Sequence, residues 1–169
     1  MTQEPEKKQV DPAEAKLRRQ MAVDAGTLAV IVKAIQQKYG DEALEVMRNA
    51  LNEATLAPTR SKARRAGARV GDGGIEDWIK LEEYMAKESL CDYEVEVSPE
   101  RGVMRVLDCP MKDAYTAICP DVCTKVLIGA EQAFATAINP NLQSRVDCYM
   151  PLGAKSCDVV CEFKPGTKP

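Results

Sequence analysis

Residues 92–107 read DYEVEVSPERGVMRVL, and this stretch decides the fold class of the chain. In its first half, Tyr and Val alternate with acidic residues, which is the period of a strand with one exposed face. The sequence Pro-Glu-Arg-Gly at 99–102 is typical of a turn, and a second apolar stretch follows at 103–107. The spacing therefore predicts a β-hairpin.

The chain before this hairpin has the apolar period of helices rather than strands. Asp11, followed by proline, predicts the N-cap of a first helix, and Gly40 predicts its end. A second helix is predicted over 42–57 because Pro58 follows it. The apolar residues of 75–90 predict a third helix.

After the hairpin, the pattern predicts one more helix and two more strands. A short, weakly helical link is predicted at 112–118, and the sequence Cys-Pro-Asp-Val-Cys at 119–123 predicts the start of a helix. Asn-Pro at 139–140 ends it, and strands are predicted at 142–149 and 157–163. The predicted fold class is α+β, with N-terminal helices followed by an antiparallel sheet of two hairpins with an intervening helix.

The length fits a single domain with an extension at its amino terminus. Residues 1–11 are polar and charged and are predicted to be a disordered tail. Residues 12–90 form the predicted helical region, which includes a basic, glycine-containing connector at 59–74. Residues 91–164 form the predicted cysteine-rich α+β region, which would hold the ligand-binding or catalytic site.

The charge balance limits the classes of partner. A net charge of −3 argues against a general nucleic-acid-binding protein. The amino terminus lacks the apolar region of a secretory signal, and the longest apolar run, at 27–35, is too short to span a bilayer. We expect a cytoplasmic protein whose partner is a small molecule, with no nucleic-acid or membrane partner.

Cysteines are the main candidates for metal binding or covalent catalysis in this sequence. Six of the seven cysteines lie between Cys109 and Cys161, and the chain has no histidine. Metal binding or covalent catalysis must therefore use thiols, carboxylates or both. In a reducing compartment these cysteines are expected as thiols or metal ligands rather than disulfides, although any one of them can also be a buried small apolar residue. Cys161 is expected in the core.

Three cysteines occupy positions from which they could converge on Zn²⁺. Cys148 and Cys157 flank the turn between the last two predicted strands. Cys123 lies in the first turn of the preceding helix, where the helix dipole favours a thiolate. A fourth ligand would come from Cys109, Cys119 or a carboxylate, which gives the tetrahedral site that Zn²⁺ prefers.

A nucleophilic role for a cysteine is the alternative chemistry. Cys109 and Cys119 are the candidate nucleophiles, and the general base must be a residue other than histidine. Asp108 and Asp113 are the candidate proton carriers, and Tyr115 lies nearby as a candidate base or substrate contact.

Candidate ligand contacts also lie in the helical region. Arg65 and Arg69 belong to the basic connector and could clamp the carboxylate of an anionic ligand, if the connector is a mobile flap. The alternative is a solvated connector with no ligand. Trp78, the only tryptophan, is expected as a packing anchor or, less readily, as a ligand contact.

Several short motifs carry a family resemblance over about residues 92–163. They are DCP at 108–110, a cysteine that opens a helix of small residues, an Asn-Pro helix stop, and VDCYMPLGAKSC at 146–157. This combination resembles the L-2-amino-thiazoline-4-carboxylic acid hydrolase family. More distantly, it is similar to the 4-vinyl reductase type of ligand-binding domain, which shares the α+β fold of TRAPP tethering-complex subunits.

The resemblance implies specific roles. The hydrolase family name implies opening of a thiazoline ring. Relatives of the vinyl-reductase type that sense aromatic compounds carry a zinc ion held partly by cysteines, and their pattern corresponds to Cys123, Cys148, Gly153 and Cys157. The hairpin here is one residue longer, and Cys119 and Cys161 are additional. The resembling folds also imply a homodimer through the amino-terminal helices.

Two function hypotheses follow. The first is a small-molecule hydrolase that acts on a cyclic C=N or amide-like bond of an anionic substrate. The alternative is a non-catalytic small-molecule or redox sensor of the 4-vinyl reductase type with a cysteine-bound zinc ion.

Overall fold

The amino-terminal part of the chain is helical, as its apolar period predicts. In the computed structural model, which describes residues 11–167, the first helices are α1 (Pro12–Tyr39), α2 (Asp41–Arg65) and α3 (Ile75–Glu88). The predicted N-cap is confirmed, because the Asp11 side chain accepts a hydrogen bond from the backbone N–H of Ala13 at 3.0 Å. The rest of the predicted disordered tail lies outside the described residues.

Helix α2 corrects the sequence prediction at its carboxyl end. The sequence predicts a stop at Pro58 and a connector from residue 59, whereas the helix continues to Arg65 with Pro58 inside it. Proline weakens a helix interior because it lacks an N–H and crowds the preceding turn. Here the next turn buries Thr59 and Ala63, and Ala63 belongs to the main core. Packing of this turn outweighs the local cost of proline, so the connector is confined to residues 66–74.

Four antiparallel strands form one sheet. They are β1 (Asp92–Val97), β2 (Arg101–Asp108), β3 (Leu142–Cys148) and β4 (Cys157–Phe163), in the spatial order β1-β2-β4-β3. The two predicted hairpins are therefore confirmed, and the pairing of β2 with β4 joins them.

The segment between the hairpins is helical, as predicted. It consists of α4 (Lys112–Ile118), a π-helical segment (Val122–Leu127) and α5 (Ile128–Ile138). The connector 66–74 is bonded to the end of α5, because the backbone N–H groups of Gly71 and Gly73 both donate to the carbonyl of Ile138, at 2.8 and 3.1 Å. These bonds anchor the segment that the sequence predicts as either a solvated connector or a mobile flap.

Two apolar clusters hold the fold together. The larger one joins the sheet to α3 and α5 and includes Trp78, Phe134 and Cys161, so the expected core position of Cys161 is confirmed. The smaller one joins α1 and α2 to α4 and includes Tyr115 and Cys119. Burial of this apolar area is the main force that stabilises the α+β arrangement.

The outer face of α1 carries exposed apolar side chains. They are Leu17, Val23, Val30, Ile31 and Tyr39. The homodimer through the amino-terminal helices stays a prediction, which light scattering can test. Among the described residues, no helix combines the length and the hydropathy that a membrane crossing requires.

Candidate functional site

A cavity of about 360 Å³ lies between the sheet and the helices α3, α4 and α5. Its volume is near the lower end of the range for small-molecule sites in proteins, about 300–1,000 Å³. Most of its wall is apolar, and the larger apolar side chains include Met85, Met104, Val106, Met111, Leu127, Ile128, Phe134, Val146, Met150 and Val159. A compact apolar molecule fits such a space.

The polar part of the cavity wall is acidic rather than basic. The described residues that line it include Glu82 and Glu131 but no lysine or arginine. An anionic ligand would find no positive side chain there to balance its charge, and burial of an unpaired charge is costly.

Glu82 of α3 and Glu131 of α5 form a buried carboxyl pair. Glu82 is only 5% exposed. Burial raises the pKa of Glu131 to about 7, and burial together with the nearby Glu131 charge raises the pKa of Glu82 well above its ordinary value. Two adjacent buried carboxyls do not readily ionise together, so Glu82 and Glu131 share a proton.

Several polar atoms around this pair are buried without a hydrogen-bond partner among the described residues. They include Glu82 Oε1, Glu131 Oε2 and Trp78 Nε1. The indole N–H of Trp78 lies near Glu82 and lowers its pKa, although the two make no hydrogen bond of good geometry. Buried polar atoms without partners are expensive, so a hydrogen-bond donor brought to this pair would lower its energy.

A pair of cysteines lies elsewhere in the cavity wall. Asp92 pairs with Asp108 in the first hairpin, so the next residues outward, Cys91 and Cys109, meet at its open end. The neighbouring Cys91 is the main cause that lowers the pKa of Cys109 to about 7, while burial acts in the opposite direction. The S–H of Cys91 itself donates to the carbonyl of Ser89 at 3.7 Å. Backbone N–H groups of Met111 and Lys112 also lower this pKa.

Helix α1 holds the same end of the hairpin. The guanidinium of Arg18 donates to the carbonyl of Leu90 at 2.6 Å and forms an ion pair with Asp108. These two residues immediately precede Cys91 and Cys109, so one side chain of α1 ties both strands together next to the thiol pair.

Cys109 is expected to be the most readily alkylated cysteine at pH 7, and Cys91→Ala is expected to slow its alkylation about fivefold. Loss of the neighbouring Cys91 thiol raises the pKa of Cys109 and reduces its thiolate fraction. The higher nucleophilicity of a more basic thiolate offsets part of that loss. The pH profile of iodoacetamide labelling, read by mass spectrometry of the Cys109 peptide, measures both effects. Cys148→Ala is the control, and an equal rate in the Cys91 and Cys148 variants would contradict the pairing.

The structure brings some of the predicted site residues to the cavity and leaves others outside it. Cys109 and Tyr115 line the cavity. Cys119 is buried in the smaller cluster, with its Sγ 3.9 Å from Gln36 Oε1. The side chain of Asp113 is 94% exposed on α4, and Asp108 is engaged by Arg18.

The predicted ligand contacts of the helical region also lie outside the cavity wall. The guanidinium of Arg65 lies over the ring of Tyr84, 5.7 Å from its centroid. Arg69 donates to the buried carboxylate of Asp77 at 2.9 Å. Trp78 is fully buried in the core between α3 and the sheet. The predicted packing role of Trp78 therefore fits its position.

The three cysteines predicted as zinc ligands do not form a site in this geometry. Cys123 and Cys157 line the cavity, whereas the Sγ of Cys148 donates to the carbonyl of Ser156 at 3.3 Å. Burial raises the pKa of Cys123 to about 12 and also raises that of Cys157. Within residues 11–167, no three Cys, Asp or Glu side chains are grouped closely enough to hold a metal ion. The zinc site stays a prediction, which elemental analysis tests.

The residues that sequence reasoning missed are Cys91, Glu82 and Glu131. The sequence contains a feature that could have indicated each of these residues. Cys91 is the mirror position of Cys109 across the predicted hairpin. Glu82 follows Trp78 by four residues and Glu131 precedes Phe134 by three, so each shares a helix face with a core aromatic residue. A charged residue on an apolar face is a candidate for function.

The architecture is α+β, with a cavity between a four-stranded antiparallel sheet and its helices. No family model matches the sequence, and no curated protein matches it significantly. One similar solved structure is the phenol-responsive sensory domain of the transcription activator PoxR, with phenol, which has a TM-score of 0.60 at 10% identity and covers 82% of this chain and 74% of that one.

A second similar structure is a trafficking protein particle complex subunit 3 from Naegleria fowleri, covalently bound to palmitic acid. Its TM-score is 0.51 at 10% identity, over 87% of this chain and 99% of that one. At this identity the similarity shows the fold alone. The predicted 4-vinyl reductase/TRAPP-subunit-like fold is thus confirmed, whereas the resemblance to the thiazoline hydrolase family gains no support.

Proposed function

We propose that this chain is a non-catalytic small-molecule-binding domain of the sensory type. Its ligand occupies the cavity between the sheet and α3, α4 and α5. The observation that carries the proposal is the cavity itself, which is apolar, about 360 Å³ in volume and built into the core rather than onto a surface loop.

The chemistry of the wall supports a ligand without negative charge. Methionine and aliphatic side chains dominate it, with Phe134, Tyr115 and Tyr149 as its aromatic members. The volume suits a single ring or a short chain. The similar fold of the PoxR sensory domain, whose structure contains phenol, supports the same ligand class.

The binding proposal predicts that a small apolar ligand stabilises the protein. At a ligand concentration 100 times the Kd, the free energy of unfolding should rise by about 2.7 kcal/mol. The experiment is thermal unfolding with a panel of phenols, indole, short alcohols, amines and carboxylates, with binding confirmed by calorimetry.

A matched pair of variants makes the test specific to the cavity. Ala130 lines the cavity, whereas Ala57 is exposed on α2. Ala130→Leu should fill part of the cavity and abolish the ligand-dependent shift, while Ala57→Leu should leave it unchanged. A panel that stabilises neither the wild type nor Ala57→Leu would contradict the proposed function.

Hydrolysis is the second candidate, and one observation favours it. Cys109 lies in the cavity wall with a pKa lowered to about 7, which suits a nucleophile. Turnover of a thiazoline carboxylate that is lost in Cys109→Ser would support this function. The acidic cavity opposes an anionic substrate, and the candidates Cys119 and Asp113 lie away from the cavity, so ligand binding without turnover is the stronger proposal.

A further inference from the structure

We propose that the ligand of this cavity carries a protonated amine and that the carboxyl pair of Glu82 and Glu131 binds it. This inference rests on the proposed function, because it names the class of molecule that the cavity takes. The rest of the ligand would be apolar, as in an arylalkylamine or a short alkylamine.

The charge of the cavity supports a cation. Glu82 and Glu131 are its carboxylic acids, Cys109 is a further acidic group in the wall, and the described lining residues supply no basic side chain to balance them. An ammonium group would provide the missing countercharge inside the apolar wall. Hydrogen bonds to charged groups are about twice as strong as neutral ones, so this contact would dominate orientation and specificity.

The unpartnered atoms match the donors of an amine. Glu131 Oε2 and Glu82 Oε1 are buried and have no partner among the described residues apart from the proton that the two carboxyls share, and an ammonium group that displaces this proton would bring donors to both. A primary ammonium group has three N–H donors and can serve two acceptors at once. A hydroxyl group has one donor and would leave one of the two oxygens unsatisfied.

The groups that face the pair from neighbouring elements do not compete with an amine. They are Cys123 of the π-helical segment, Tyr149 after β3, Cys161 of β4 and the uncharged indole of Trp78 on α3. Burial raises the pKa of the two thiols and of the phenol, so all three are neutral at pH 7. No cation among these groups neutralises the pair.

Amine binding must then be linked to a proton. Glu131 has a pKa of about 7 when the cavity contains no cation, and an ammonium group favours its ionised form. Below pH 7 the ligand has to displace a proton from the pair, so its affinity should fall about tenfold for each pH unit. A neutral ligand of the same shape would show no such dependence.

The experiment compares ligands of equal shape and different charge. The probes are 2-phenylethylamine, 2-phenylethanol and 3-phenylpropionate, titrated by calorimetry at pH 6, 7 and 8 in buffers of different ionisation enthalpy. We expect the amine to bind at least tenfold more tightly than the alcohol at pH 8, with proton release on binding, and the carboxylate to bind most weakly. At pH 6 the preference for the amine should largely disappear.

Two isosteric variants assign the effect to the pair. Glu131→Gln should remove the preference for the amine and the proton release while the alcohol still binds. Glu53→Gln, an exposed position on α2, is the matched control and should behave like the wild type. If Glu131→Gln does not fold, the proton release and pH dependence of the wild type decide the question alone.

The results separate failure of this inference from failure of the proposed function. An alcohol that binds as tightly as the amine, with no pH dependence, would overturn this inference and leave the proposed function standing. Failure of all three probes, and of the wider panel, to bind would overturn the proposed function and this inference with it.

Discussion

Raising the pH from 5 to 8 is expected to lower the free energy of unfolding of the wild type by at least about 3 kcal/mol more than that of the E82Q/E131Q variant. The folded pKa of Glu131 is about 7, against an ordinary value of 4.5. The folded protein therefore binds more protons than the unfolded chain across this window. The stabilising contribution is complete below about 4.5 and is lost as the pH rises through 7, and the raised pKa of Glu82 acts in the same direction.

Urea unfolding at pH 5, 6, 7 and 8 under reducing conditions measures this difference. Glu53→Gln is the control for loss of an exposed carboxylate and should follow the wild-type curve. Cys109 has the opposite effect on the pH dependence of stability, because its folded pKa of about 7 lies below its ordinary value of 9. Its contribution is the same in every variant. Parallel curves for the wild type and E82Q/E131Q would show that the pair is not buried as described.

Gly129→Ala is expected to destabilise the protein by about 3 kcal/mol, whereas Gly26→Ala should stabilise it by about 0.5–1 kcal/mol. A Cβ at position 129 would overlap the backbone oxygen of Arg48, where α5 packs directly against α2. Position 26 in α1 has space, since its nearest neighbour would be Ile118 Cδ1 at 3.7 Å, and there alanine brings only its higher helix propensity.

The same substitution on two helices should thus change the free energy of unfolding in opposite directions. Chemical unfolding monitored by circular dichroism gives both free energies, and the two variants serve as controls for each other. Equal stability of Gly129→Ala and the wild type would mean that α5 and α2 are not in such close contact. A glycine required at position 129 also explains why small residues surround it on α5.

Much of the fold could be predicted from the sequence because it is set by local period. The alternation in 92–97, the caps at Asp11 and Gly40 and the small-residue helix each act within a few residues. The end of α2 could not be predicted in this way, because Pro58 signals a stop and only the burial of Ala63 in the main core overrides it.

The candidate site was less predictable because it depends on which elements meet. The cysteine pattern marks Cys109, which lines the cavity, as a candidate, whereas its neighbour Cys91 is brought to it by the register of the hairpin. Glu82 and Glu131 lie almost fifty positions apart, on helices that meet only after folding. The sequence shows that each glutamate lies on an apolar helix face. It does not show that the two side chains meet or that their pKa values are raised, because both depend on tertiary structure.

The side chain of Arg18 on α1 contacts both ends of the first hairpin next to the cavity. Its guanidinium holds the last residue before Cys91 and the last residue of β2, at the point where the cavity wall begins. One guanidinium of α1 thus ties together both strand ends that border the cavity, so the position of α1 and the width of this end of the hairpin depend on each other.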